Sequence, residues 1–265
     1  MPAVRVVFLG KGGSGKSTLA GLVCVELAAG GDRVVAISAD TVPGLAPVLG
    51  VAATDDWSLA GMAVRENGGW RLDGSPAEIV ERCSIEGPAG IRYLQMGNVD
   101  AGLKEFEMRR ERNMQRWAGQ VAFNTVSRVF DDEGGWAVVD LQGGTLQVAG
   151  GLVGTSGTAV LVVEPFAKSV LTARRFVEMG RWPKGIRLVG VASKVASAGD
   201  EAYVADALHG LGVPLWAVVP HDPAVAQAER QRRPLVTVPE GAPARQGARA
   251  LAHRLREAAM ATTAT

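Results

Sequence analysis

The chain has 265 residues, enough to bury a full hydrophobic core, and 28 basic against 27 acidic residues leave a formal net charge of +1, so no global field selects a polyanionic partner. Its two cysteines, Cys24 in an apolar run and Cys83 in a mixed stretch, exclude a disulfide scaffold and read as packing residues of a reducing compartment. The apolar runs are strand-sized, well short of the roughly 20 residues a bilayer span needs. The opening residues show no basic region ahead of an apolar stretch, so no secretion signal is expected and the expected location is cytoplasmic.

In chain order, Val-, Ile- and Leu-rich runs recur at 4–9, 33–38, 91–96, 136–140, 158–163, 186–191 and 215–219. They are continuously apolar rather than alternating, which is what strands of a parallel sheet covered on both faces require. Helical patterns fill most of the gaps, at 16–30, 101–130, 168–179, 200–211 and 244–260. This alternation predicts an α/β fold with a doubly wound, mainly parallel sheet flanked by helices. A single domain over 1–265 is expected, with a peripheral insertion near 55–90 where residues 64–72 read as a hairpin turning at Asn67-Gly68.

The first strand runs into Gly10-Lys11-Gly12-Gly13-Ser14-Gly15-Lys16-Ser17-Thr18 and then into a helical pattern. This is G-x-x-x-x-G-K-S in its confirming context, the P-loop of a nucleoside-triphosphatase fold. Its glycines let successive backbone N–H groups face phosphate oxygens, and the helix N-terminus adds partial positive charge. Lys16 is expected to reach the β- and γ-phosphates, and the Ser17 hydroxyl to ligate Mg²⁺. The fourth core strand ends in Asp140, a second candidate Mg²⁺ ligand, direct or through water, followed by the flexible Gln142-Gly143-Gly144.

With Lys11 added, K-G-G-x-G-K-S resembles the deviant Walker A motif of the family that includes MinD, the ParA partition ATPases, nitrogenase iron protein and metalloenzyme maturation ATPases. The resemblance implies ATP/ADP with Mg²⁺, a nucleotide-dependent homodimer, and a Lys11 that crosses the dimer interface to the partner's phosphates, where a cation on the developing charge ties hydrolysis to dimerisation. Ser38-Ala39-Asp40, followed by Pro43 and Gly44-Leu45, resembles the family's first switch and implies that Asp40 orients or deprotonates the attacking water. Ser193-Lys194 resembles the Asn-Lys base site with serine in place of asparagine, and Pro220-His221-Asp222 resembles the loop that closes the adenine pocket; preference for adenine rests on the resemblance alone.

Several features resemble the CooC-type carbon monoxide dehydrogenase maturation ATPases: Glu164-Pro165 with Ser169, the segment 219–228 with Arg233-Pro234-Leu235, and Leu94-Gln95-Met96-Gly97. That branch often carries Cys-x-Cys after the Met-Gly pair. The residues that follow Gly97 here contain no cysteine, so the ATPase engine is carried over and metal delivery is not. The expected partner is an unidentified protein client. The alternatives are a ParA/MinD-like positioning ATPase on DNA or membrane, with Arg245, Arg249 and Arg256 or Arg230, Arg232 and Arg233 as DNA candidates, and an amidoligase-type enzyme. The alanine-rich 248–257 stretch reads as a helix docked on the core rather than a membrane anchor. His209, His221 and His253 suggest no catalytic or zinc arrangement.

Overall fold

The computed structural model describes residues 3–40, 44–52, 59–66, 69–96, 134–144, 157–179, 182 and 185–263. Strands are β1 (Ala3–Gly10), β2 (Val34–Ser38), β3 (Ala63–Glu66), β4 (Gly69–Leu72), β5 (Ile85–Glu86), β6 (Arg92–Gln95), β7 (Gly135–Asp140), β8 (Gly157–Val163), β9 (Ile186–Val195) and β10 (Leu215–Pro220). Helices are α1 (Lys16–Ala29), α2 (Leu45–Leu49), α3 (Pro76–Cys83), α4 (Ala167–Glu178), α5 (Ala198–Gly210), α6 (Pro223–Arg230) and α7 (Pro243–Thr263).

Eight strands form one sheet in the order β10-β9-β8-β1-β7-β2-β6-β5, and every pairing is parallel except the short β5 edge on β6. β1 lies between β7 and β8, where the winding reverses, so the crevice outside its carboxyl end is the topological position for a ligand. Both faces are covered. Val6, Phe8, Val138 and Val160 pack beneath α1, α2 and α7, while Val7, Leu9, Val139 and Leu161 pack against α3, α4 and α5. Burial on both sides is the reason these strands read as unbroken apolar runs.

The seven predicted strands and four of the predicted helices appear within a few residues of their expected bounds; the helix expected at 101–130 lies outside the described residues. The expected hairpin appears as antiparallel β3–β4, and its Asn67-Gly68 turn also lies outside them. β5, α2, α3 and α6 were not anticipated. α3 carries a capping box in which Ser75 accepts from the Glu78 N–H and Glu78 accepts from the Ser75 N–H. Ala248, Leu251, Ala252 and Leu255 of α7 are buried, so this helix is docked on the core as expected.

The far end of α1 is fastened to α7. Buried Glu26 receives Arg245 Nη2 at 2.8 Å and Arg249 Nε at 2.7 Å. Arg256 pairs with Asp32 at 2.8 Å and donates Nη2 to the Glu26 and Leu27 carbonyls in the last turn of α1. No helix among the described residues is long and apolar enough to cross a membrane.

Candidate functional site

β1 delivers the chain to Gly10 at the carboxyl edge of the sheet, where φ is 151° and a Cβ would stand 2.5 Å from the Val162 carbonyl oxygen. Only glycine fits. Gly13 and Gly15 also have positive φ, 82° and 88°, and the Ser14 N–H closes the loop on the Lys11 carbonyl at 3.2 Å. Gly15 is the N-cap of α1, which has neither a capping side chain nor an acidic residue in its first turn. The positive helix end is therefore left for an anion.

Lys16 is buried and its Nζ donates to the Lys11 carbonyl at 3.1 Å. Burial lowers its pKa from the ordinary lysine value, while Asp140, Asp40 and Glu164 pull the other way. Lys11 Nζ bonds the neighbouring Gly12 carbonyl at 3.2 Å. Both lysines thus rest on the loop's own carbonyl oxygens, leaving its N–H groups free of side-chain competition.

Asp140, at the end of β7, is 1% exposed, and neither carboxylate oxygen has a hydrogen-bond partner in bonding geometry. Its pKa is pushed up to about 6, chiefly by burial; the nearby Ser17 hydroxyl and the Lys16 charge favour the ionised form, and Asp40 opposes it. A buried carboxylate with two unpartnered oxygens beside a hydroxyl is costly unless a cation completes it. Asp140 and Ser17 therefore supply the hard oxygen donors that Mg²⁺ prefers, and they fit that ion. Ser38, paired across the sheet with Asp140, adds a further buried hydroxyl, near the Tyr93 hydroxyl but without a partner in bonding geometry. Asp40 lies half-buried just beyond β2, whose end is tied to β7 by the Ala39 N–H on the Asp140 carbonyl at 2.9 Å.

Two loops lean on this centre. The Gly144 N–H donates to the Gly10 carbonyl at 3.3 Å, and a Cβ on Gly143 would stand 2.9 Å from both N and Cα of Gly12. On the other side, a Cβ on Gly44 would stand 2.8 Å from Ser17 Oγ. The stretch after Asp140 was anticipated as flexible from its glycines. The seat of Gly44 on Ser17 was not, because nothing in the local sequence reports a contact across 27 residues.

A cavity of about 990 Å³ opens from the P-loop toward the carboxyl ends of β9 and β10. Gly13, Gly15, Lys16, Ser17, Thr18, Ser193, Lys194, Pro220 and Asp222 all line it, so the structure brings the phosphate and base candidates together. Lys194, with a left-handed φ of 57°, donates to the Gly13 carbonyl and pairs with Glu164 Oε1 at 3.0 Å. Asp222 caps two helices at once: Oδ1 accepts from the Ala224 N–H at 2.9 Å and Oδ2 from the Ala244 N–H at 3.0 Å. Glu229, which the sequence did not single out, accepts from the Thr18 hydroxyl at 3.3 Å. Glu164 stood out only as a family mark, and its bond to Lys194 explains its burial.

The structure disperses other candidates. Arg245, Arg249 and Arg256 are turned onto Glu26 and Asp32 and form no DNA-facing patch, whereas Arg230, Arg232 and Arg233 are exposed. His209, His221 and His253 are exposed, on α5, just after β10 and on α7 respectively.

Residues 6–235 match the family model described as CbiA, the CobQ/CobB/MinD/ParA nucleotide binding domain. The chain belongs to this family. It is 26% identical over 244 residues to the carbon monoxide dehydrogenase accessory protein CooC of Rhodospirillum rubrum, covering 86% of this chain and 87% of that protein. Among solved structures, the Pyrococcus furiosus cell division ATPase MinD superimposes with a TM-score of 0.71 at 19% identity, covering 97% and 99% of the two chains. A ParA family ATPase from Chlorobium tepidum gives 0.68 at 16% identity, covering 95% and 98%. The septum site-determining protein MinD of Pyrococcus horikoshii, complexed with Mg-ADP, gives 0.67 at 18% identity, covering 98% of each. These similarities establish the P-loop fold.

Proposed function

We propose that the chain is a Mg²⁺-dependent ATP-binding and ATP-hydrolysing switch that pairs with a second copy around nucleotide and acts on a protein client in enzyme maturation or assembly. The observation that carries the reading is Asp140: a buried carboxylate without partners, beside Ser17 and Lys16, at the mouth of a P-loop. The client class draws on likeness to CooC over most of both chains.

In this reading the loop from Gly10 to Thr18 holds the phosphates, with Lys16 leaving the Lys11 carbonyl to bond the β- and γ-oxygens. Ser17 and Asp140 hold Mg²⁺, which neutralises phosphate charge when bound. Asp40 orients a water and accepts its proton as the water oxygen bonds the γ-phosphorus; the bond to the bridging oxygen breaks, giving ADP and phosphate. Lys11 serves the partner copy's phosphates, and Gly143-Gly144 and Gly44 carry the change outward.

The test is phosphate release from ATP with and without Mg²⁺, together with sedimentation of the Asp40→Ala variant. The expected result is Mg²⁺-dependent turnover and an ATP-bound dimer in the variant. No ATP binding, or turnover indifferent to Mg²⁺, would overturn the reading. The exposed Arg230, Arg232 and Arg233 favour one other reading, a ParA-like ATPase on DNA; salt-dependent retention of the ATP-bound variant on DNA, lost in the triple alanine variant, would establish it instead.

A further inference from the structure

Behind Asp140 lies a buried polar row. Gln95 of β6, Ser38 of β2 and Asp140 of β7 stand side by side across three parallel strands, with Ser38 in register with both neighbours. Strand alternation puts them on the face of Tyr93, Ala36 and Val138, which packs beneath α1. The strand ends are fixed, since the Met96 N–H donates to the Ser38 carbonyl and the Ala39 N–H to the Asp140 carbonyl, each at 2.9 Å. Gln95, Ser38 and Asp140 are 4%, 0% and 1% exposed.

Tyr93, two residues before Gln95, is as deeply buried. Its hydroxyl donates to Gln95 Oε1 at 3.4 Å and lies beside the Ser38 hydroxyl. Burial pushes the phenol pKa up, so Tyr93 keeps its proton to donate. Ser38 Oγ and both Asp140 oxygens have no partner in bonding geometry. A buried hydroxyl in that condition is unfavourable, and an apolar side chain would fill the place of Ser38 at lower cost.

What the serine offers is a proton beside a carboxylate. Neighbouring strands stand about 4.8 Å apart, so a change of rotamer carries the hydroxyl of one residue to the side chain in register with it. The Ser38 proton is flanked by a neutral phenol oxygen and by a carboxylate, and the charged acceptor makes the stronger bond. With Ser38 donating to Asp140, its oxygen accepts from Tyr93, and two hydroxyls aligned toward one carboxylate strengthen each other.

We propose that Ser38 is a positioning residue of the metal site: it donates to one oxygen of Asp140, backed by the Tyr93 hydroxyl, and so turns the other oxygen toward the cation. The proposal rests on the reading of Asp140 and Ser17 as Mg²⁺ ligands and adds the pair that aims the carboxylate. A hydrogen bond onto a ligating carboxylate fixes its orientation before the ion arrives.

The experiment titrates Mn²⁺, which takes the same oxygen ligands, into the full chain saturated with ADP, reading free Mn²⁺ by its electron paramagnetic resonance signal. Native protein, Ser38→Ala, Tyr93→Phe and the double variant are compared, with thermal melts in the absence of metal and nucleotide alongside. Ser38→Ala is expected to weaken Mn²⁺ binding about tenfold and to melt at or above the native temperature without metal. Tyr93→Phe is expected to weaken binding roughly threefold, and the double variant to bind no worse than Ser38→Ala, because Tyr93 acts through Ser38. Native-like Mn²⁺ affinity in Ser38→Ala overturns the proposal, as do losses that multiply in the double variant. A lower metal-free melt of Ser38→Ala assigns the hydroxyl to the fold and overturns it too. In each of these cases the Mg²⁺ reading of Asp140 stands; no Mn²⁺ binding to the native ADP complex overturns both.

Discussion

The side chain of Lys16 and the backbone carbonyl of Lys11 are joined by a 3.1 Å hydrogen bond, so one lysine of the loop holds the other's peptide. A phosphate on Lys16 would offer a charged acceptor in place of the neutral Lys11 carbonyl, a stronger bond. The two lysines are expected to fail differently. Lys16→Ala should lower hydrolysis by about 10² or more, since it removes the cation at the transferred group. Lys11→Ala should keep nucleotide affinity within a few fold and lose ATP-dependent dimerisation and turnover. Titration of labelled nucleotide alongside sedimentation separates the two, and a Lys11→Ala protein that still dimerises and turns over would refute the trans role.

Asp140 sets the pH response of the metal-free protein. Its folded pKa of about 6 stands above the ordinary carboxylate value of 3.8, so the folded state holds its proton longer than the unfolded chain. The contribution to stability is therefore present below pH 3.8 and is lost as pH rises through 6. Asp140→Asn removes this cost and should stabilise the metal-free protein at pH 8 by ~1–3 kcal/mol, with little effect at pH 4. Thermal melts across that range check the sign; in the native protein, Mg²⁺ with nucleotide should recover the lost stability, and in the variant it should not.

Breaking the Glu26 cluster leaves a charge stranded. Arg245 and Glu26 have side chains only 8% and 5% exposed. Glu26→Ala should cost ~3–5 kcal/mol, because the guanidinium stays buried without its counter-charge. Urea unfolding of Glu26→Ala against the Glu26→Ala, Arg245→Met double variant tests the cause, since the double variant should regain much of the loss.

Gly143 has no room for a methyl group. Gly143→Ala would press on the Gly12 backbone, which cannot yield as a flexible side-chain tip would. Hydrolysis is expected to fall at least tenfold, while stability changes by about 1–3 kcal/mol. A phosphate-release assay that finds full activity would show that this contact plays no part in turnover.

The order of strands and the P-loop were legible because both are written locally. Unbroken apolar runs report burial on two faces, and Lys11 to Thr18 is a contiguous signal between a strand and a helix. The short elements were harder. Ser75 and Glu78 carried a capping signature that the surrounding insertion masked, and Asp222-Pro223 was read as a base loop although it is also a helix start. Contacts made across the chain had no local trace: Thr18 with Glu229, Lys194 with Glu164, and Glu26 with two arginines more than 200 residues away. The same distance in sequence turned the α7 arginines from a plausible nucleic-acid patch into internal counter-ions.

The arginines that hold the tail of α1 also decide how news of a bound phosphate can travel. A helix fastened at its rear by Arg245, Arg249 and Arg256 would have to break those bonds to slide along its axis. The loop's flanks are instead met by glycine surfaces, Gly143 on one side and Gly44 on the other, where no side chain stands between the two backbones. Gly143 and Gly44 are therefore the two points at which a change in the loop would first press on its neighbours.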